Sequence, residues 1–214
     1  MPWLFDFHVY YSPRNGLIWC RRLFGQWAVF VDGIMQTSPY VTKMWDDALG
    51  RLPADRPVKE ILLLGLGAGG VIPVLRRRFP GTVLTVVEWD PVMVTLAERL
   101  KFVTPAIAPA VVVGDAKEEV PRLAGRYDLV MFDLFTGSTP DRALSDENFI
   151  GQLRERLQDG GLLLVNAYRR PELLSLVGRL VAPVAQWQWQ YNHLGFFRRG
   201  VPADAAPGNL TSTT

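Results

Sequence analysis

The chain has 214 residues, enough for one domain with a small appendage, and 49% of them are hydrophobic, so a sizeable core can form. The net charge of +2 is spread over interspersed acids and bases, which leaves no basic stripe of the kind nucleic acid requires. A single cysteine, Cys20, excludes an internal disulfide framework. No secretory leader opens the chain and no apolar run nears the roughly 20 residues of a membrane helix, so a cytoplasmic protein with no membrane partner is expected.

In chain order, the stretches LIWCRRL and WAVFVDG are rich in β-branched and aromatic residues, and SPRNG and FGQ break them as turns. They predict a small β-hairpin or meander, an N-terminal extension over residues 1–38. Residues 40–51 follow with Tyr40, Met44 and Ala48 at helical spacing. From residue 58 the rhythm changes to strand and helix in alternation. VKEILLLGL, TVLTVVEW, AVVVGD, YDLVMFDLF and GLLLVNAY read as strands, and four of the segments between them, GVIPVLRRRF, PVMVTLAERL, KEEVPRLA and ENFIGQLRERL, read as helices. The continuous apolar runs are those of strands covered on both faces, which argues a parallel α/β sheet. Pro171 opens a further helix, and VAQWQWQYNHLGFFRR then holds two short strands separated by a few residues, a hairpin that forces one strand antiparallel. Residues 39–200 are thus expected to form the main domain, and residues 201–214, poor in large apolar groups, a disordered tail.

Four glycines crowd into GLGAGG at residues 65–70, between a strand and a helix. Glycines there permit a tight turn and close approach of a ligand to the main chain, next to the free N–H groups of a helix N-terminus. The next strand ends at Glu88, placed to accept hydrogen bonds from both hydroxyls of a ribose. Gly65, Gly67 and Gly70 also satisfy G-x-G-x-x-G, so NAD is an alternative ligand. Asp115 ends the third strand, where a carboxylate reaches an adenine amino group, and Asp133 ends the fourth, beside the reacting end of a ligand. Four consecutive strands therefore deliver the glycines, Glu88, Asp115 and Asp133 to one rim.

This set of features resembles the class I S-adenosylmethionine-dependent methyltransferase fold and, within it, the spermidine synthase family over roughly residues 17–200. The stretches that carry the likeness are VFVDGIMQTS, GLGAGG, VVEWDP, VVVGDA and YDLVMFDLF. The resemblance implies a seven-stranded Rossmann-like sheet of order 3-2-1-4-5-7-6 with strand 7 antiparallel, a small-molecule acceptor and a homodimer. It implies S-adenosylmethionine or its decarboxylated form as cofactor, with Gln36 touching the sulfonium nucleoside and Gly65, Gly67 and Gly69 behind its methionine-derived portion. Glu88 would hold the ribose, Asp115 and Ala116 the adenine, and Asp133 would stand at the reaction centre. Trp89 either packs against the adenine or covers the sheet.

Two departures from the family pattern bear on chemistry. The glycine motif has Ala68 where the family has an aspartate, and the fourth strand runs Asp133-Leu134-Phe135-Thr136-Gly137 where the family has D-S-S-D-P. A doubly charged diamine needs acidic partners, and an aspartate in the loop would repel the carboxylate of the intact donor. The favoured reading is therefore a methyltransferase, with an aminopropyltransferase, a non-catalytic nucleoside-binding protein and an NAD oxidoreductase as rivals. Asp46 and Asp47 fall near a substrate-facing acid of the family, though a solvated helix face also accounts for them. His8 and His193 are far apart with no neighbouring ligands, so no metal site is expected. Cys20 reads as core, and Trp187 and Trp189 as one face of a half-buried strand.

Overall fold

The computed structural model describes residues 5–136, 139–140 and 142–200. Its first element is an antiparallel sheet of β1 (Phe5–Ser12), β2 (Gly16–Leu23), β3 (Gln26–Val31) and β4 (Ile34–Thr37) in that order. Two of its turns are two-residue loops, Phe24-Gly25 and Asp32-Gly33, and in each both residues have positive φ. That is the conformation whose twist matches the flanking strands. Ser12 shapes the remaining turn, its hydroxyl accepting from the Arg14 and Asn15 amides. Alternate residues face opposite ways, and Ile18, Cys20, Val29 and Val31 pack beneath the sheet.

Helix α1 (Pro39–Gly50) starts where Ser38 caps the Val41 amide at 3.1 Å and Pro39 fixes the first turn. The main sheet follows: β5 (Glu60–Leu64), α2 (Ile72–Arg78), β6 (Val83–Glu88), α3 (Pro91–Arg99), β7 (Ala110–Val113), α4 (Ala116–Glu119) and β8 (Tyr127–Phe132). Two short strands, β9 (Phe135–Thr136) and β10 (Thr139–Pro140), pair with each other. Then come α5 (Glu147–Arg156), β11 (Leu157–Tyr168), α6 (Glu172–Leu180), β12 (Ala182–Trp189) and β13 (Asn192–Arg198). Across the sheet the order is β7-β6-β5-β8-β11-β13-β12, with β13 antiparallel to both neighbours. Counted within this sheet it is 3-2-1-4-5-7-6, the order the resemblance implies.

The uniform apolar strands have a simple cause. Leu62 and Leu64 of β5 face α5 and α6, whereas Ile61 and Leu63 face α1 and α2. A fully buried Leu or Ile contributes about 1.5–3 kcal/mol, so neither face tolerates polar residues.

Two boundaries differ from the sequence reading. The fourth strand stops at Phe132 rather than running through Phe135, because the Asp133 amide still pairs with the Leu64 carbonyl (2.9 Å) but the chain then leaves the sheet. The fifth begins at Leu157, ahead of Asp159-Gly160-Gly161, with a register shift against β8 that absorbs the glycines. Among the described residues no helix is long and apolar enough to cross a membrane. The expected disordered tail, residues 201–214, lies outside the described residues.

Candidate active site

The carboxyl ends of the parallel strands β5, β6, β7 and β8 open at one rim, and Val31 of β3 and Gln36 of β4 stand beside the ends of β5, β6 and β8 there. The glycine loop and residues 36–37 are pressed together there. The Ala68 amide donates to the Thr37 hydroxyl at 3.2 Å. A Cβ on Gly67 would meet the Gln36 carbonyl at 3.2 Å, and one on Gly70 would meet Thr37 Cγ2 at 2.6 Å. On Gly65, at φ +88°, it would stand 2.3 Å from the Asp133 carbonyl oxygen. Much of the glycine requirement thus comes from the chain's own close approach: DGIMQTS and the end of β8 seat directly on the loop.

A narrow cleft beside the loop, about 30 Å³, is lined by Gln36, Gly65, Gly67, Glu88, Trp89 and Asp133, together with Asn15, Val31, Met93, Leu134 and Phe135. Six of the nine residues singled out from sequence therefore share one wall. Gly69, Asp115 and Ala116 do not line it. At Gly69 a Cβ would touch that of Ala97 at 2.8 Å, so this glycine serves packing on α3. Asp115 caps α4 through the Lys117 amide (2.8 Å), with Ala116 buried behind it.

Glu88 is almost wholly buried, at 4% exposure. One carboxylate oxygen accepts from the Leu66 amide (2.7 Å) and the other from the Asp90 amide (2.9 Å). Burial pushes its pKa up to about 7, against the pull of those hydrogen bonds. Asp90 in turn caps α3 through the Val92 amide and accepts from the Asn15 side chain at 2.6 Å, which latches the first hairpin turn onto the cleft. Trp89 lies in the wall with the Arg14 guanidinium 5.5 Å from its ring centroid. The sequence places Asn15 in a turn, and nothing local marks its long-range bond to Asp90.

Gln36, Asp133 and Phe135 also line a second and larger cavity of about 460 Å³, within the size range of small-molecule pockets. Its walls come from Phe30 and Met35, from Tyr40 and Met44 of α1, from Asn166 and Tyr168 of β11, and from the turn between β12 and β13. At its junction with the cleft, one Asp133 carboxylate oxygen accepts from Asn166 Nδ2 (2.9 Å), and the Trp45 indole also donates to this carboxylate. Loss of water around Asp133 outweighs those bonds and raises its pKa to about 6. The Asn166 side-chain oxygen Oδ1 is buried with no hydrogen-bond partner.

No family model matches the sequence. Among curated proteins, a polyamine aminopropyltransferase of Vibrio vulnificus is 31% identical over 118 residues, covering 54% of this chain and 40% of that one. An eEF1A lysine and N-terminal methyltransferase homolog of Drosophila melanogaster is 28% identical over 125 residues, 54% of this chain and 19% of the relative. The chain thus spans less than half the length of either relative. A probable spermidine synthase from Corynebacterium glutamicum superposes with a TM-score of 0.76 at 16% identity, covering 89% of this chain and 79% of that one. In fold the chain is similar to this spermidine synthase, and in sequence it is similar to aminopropyltransferase and methyltransferase relatives over about half its length. Human methyltransferase-like protein 13 in complex with SAH superposes with a TM-score of 0.62 at 20% identity, over 75% of this chain and 81% of that one.

Against that background, one expectation changes. The Ala68 side chain does not line the cleft beside the glycine loop. It is fully buried among Ile18, Cys20, Val29, Val31, Met93 and Leu96, in the seam between the N-terminal sheet and α3. Alanine at this position is a packing requirement, and it carries no argument about donor charge. Asp46 instead binds Arg77 and Arg78, and Asp47 pairs with Arg51, so neither supplies the larger cavity with an acid. The side chain of Thr136 and residue Gly137 lie outside what the structure describes. Cys20 is buried, and its thiol pKa is pushed up to about 11. Trp187 and Trp189 pack against the core cluster under α1.

Proposed function

We propose that this chain is an S-adenosylmethionine-dependent transferase that moves a methyl group to a small molecule. The observation that carries the reading is the shared wall: Gln36, Asp133 and Phe135 belong to both the cleft at the glycine loop and the larger cavity. A donor in the first and an acceptor in the second would meet at Asp133. The cofactors in question are S-adenosylmethionine or its decarboxylated form, and the names of the relatives and of the SAH complex support that choice.

In this reading Gly65, Gly67 and Gln36 hold the methionine-derived portion, Glu88 the ribose, Trp89 flanks the nucleoside, and Asp115 with Ala116 form the outer adenine end. A nucleoside is larger than the cleft, so its entry requires Trp89 or the latched Asn15 turn to swing away. The sulfonium is already activated, and alignment supplies much of the rate. The acceptor's nitrogen or oxygen lone pair forms a bond to the methyl carbon, the carbon–sulfur bond breaks with its electrons on sulfur, and Asp133 takes the proton from the acceptor.

Aminopropyl transfer is the second reading, favoured by the polyamine aminopropyltransferase relatives. Calorimetric titration with both donors, followed by turnover with putrescine and the decarboxylated donor, separates the two. Tighter binding of the intact donor and no release of 5′-methylthioadenosine supports methyl transfer; release of that product sinks it. The assembly we infer is a homodimer built on the N-terminal sheet, whose outer face exposes Phe5, Phe7, Val9 and Tyr11. A monomeric mass by light scattering at micromolar concentration refutes it.

A further inference from the structure

The larger cavity has opposite charges at its two ends. At the inner end stands Asp133, the single carboxylate among its described lining residues. At the mouth the chain turns out of β11 through Arg169, a non-glycine residue held at φ +57°. Such a backbone persists only where its surroundings enforce it, and it recurs at ligand clamps. Here the Arg169 amide donates to the Tyr191 carbonyl at 2.7 Å, tying the corner to the hairpin turn between β12 and β13. The guanidinium lies 5.1 Å from the Tyr168 ring centroid and 4.8 Å from that of Tyr191.

Stacking of this kind fixes the planar fork while leaving its N–H donors free. Arg170, next in the chain, pairs with Glu172 at 2.9 Å, whereas among the described residues Arg169 has no carboxylate partner. A guanidinium stacked in this way at the entrance of a cavity lined by aromatic, aliphatic and amide side chains, with Asp133 at its far end, loses little side-chain entropy on meeting an anion. A free diamine would find a cation in its path.

We propose that Arg169 reads a carboxylate on the acceptor. The acceptor is then an amphipathic small molecule with its carboxylate at the mouth, its apolar body between Tyr40, Phe135 and Tyr168, and its nucleophilic nitrogen or oxygen toward Asp133. This rests on the reading of the larger cavity as the acceptor site.

The test is calorimetric binding of a matched pair, 3-phenylpropionate and 3-phenylpropylamine, to the full chain and to the Arg169→Gln and Arg169→Lys variants. The carboxylate is expected to bind the unmodified chain about tenfold tighter than the amine. Arg169→Gln abolishes the preference, and Arg169→Lys, with a point charge in place of the fork, keeps part of it. Equal or tighter binding of the amine, an unchanged preference in Arg169→Gln, or no saturation by either compound at millimolar concentration overturns the proposal. S-Adenosylmethionine is titrated separately. A protein that prefers the carboxylate but binds no sulfonium nucleoside refutes the transferase reading and leaves Arg169 as an anion site; one that binds the nucleoside and prefers the amine refutes Arg169 alone.

Discussion

Replacing Gly65 with alanine sets a methyl group against the backbone on which the proposed site depends. The added carbon would lie 2.3 Å from the Asp133 carbonyl oxygen and 3.0 Å from its carbon. No rotamer change relieves a clash with main chain, and that segment is tied to β5 by the bond from the Asp133 amide to Leu64. Holding a side chain at φ +88° costs about 1–2 kcal/mol, and forcing extra volume into a packed site adds about 1–3 kcal/mol. Gly81 provides the control, since its φ is +80° but a Cβ there meets nothing within 4 Å. Gly81→Ala therefore carries only the backbone penalty. Urea unfolding of both variants, compared by midpoint at unchanged slope, isolates the contact. Gly65→Ala should be the less stable by about 1–3 kcal/mol and should bind S-adenosylmethionine more weakly. Equal stability of the two variants would refute the claim that the glycine makes room for the chain itself.

The remaining expectations concern charge. Ala68→Asp should destabilise the protein by about 3–5 kcal/mol through an unpaired carboxylate in the Ile18–Cys20–Val29 seam, without shifting donor preference; a shift toward the decarboxylated donor in a stable variant would return Ala68 to the donor wall. Glu88 keeps its proton up to about pH 7 when folded but loses it near 4.5 when unfolded, so stability should fall as pH rises through that window. The slope from this group is at most about 1.4 kcal/mol per pH unit, and Glu88→Gln should remove it in denaturation measured across the range. If the ionised carboxylate accepts the ribose hydroxyls, affinity for the donor rises over the same interval, which titration at several pH values checks. Turnover should climb with pH through about 6, where Asp133 loses its proton; Asp133→Asn should cost about 10²–10⁴-fold in kcat and flatten that limb.

Sequence reading reached the strands and their rim because buried parallel strands write unbroken apolar runs, and each rim residue follows one directly. Glu88 and Asp133 were legible for that reason. The strand order came through resemblance, since periodicity places strands without ordering them. The direction of Ala68 was not legible: it depends on the positive φ angles of Gly67 and Gly69, which turn the loop so that its alanine faces α3. Arg169, Tyr168 and Tyr191 carry no sequence signal for a different cause. Their meeting requires β13 to fold back beside β11, a contact that no local pattern encodes.

The two cavities draw on different parts of the chain. The glycine loop, Glu88 and Asp133 are held by the central strands, but the larger cavity is walled chiefly by residues 30–44 and 166–192, near opposite ends of the sequence. The first wall belongs to the N-terminal sheet and α1, the second to the end of β11 and the β12–β13 turn, on one side of a sheet whose middle carries the loop. Exposed residues of the hairpin tip, such as Gln190 and Tyr191, can be exchanged without entering the layers around β5 and β8, so a new acceptor is reachable by grafting that tip while the donor half is left alone.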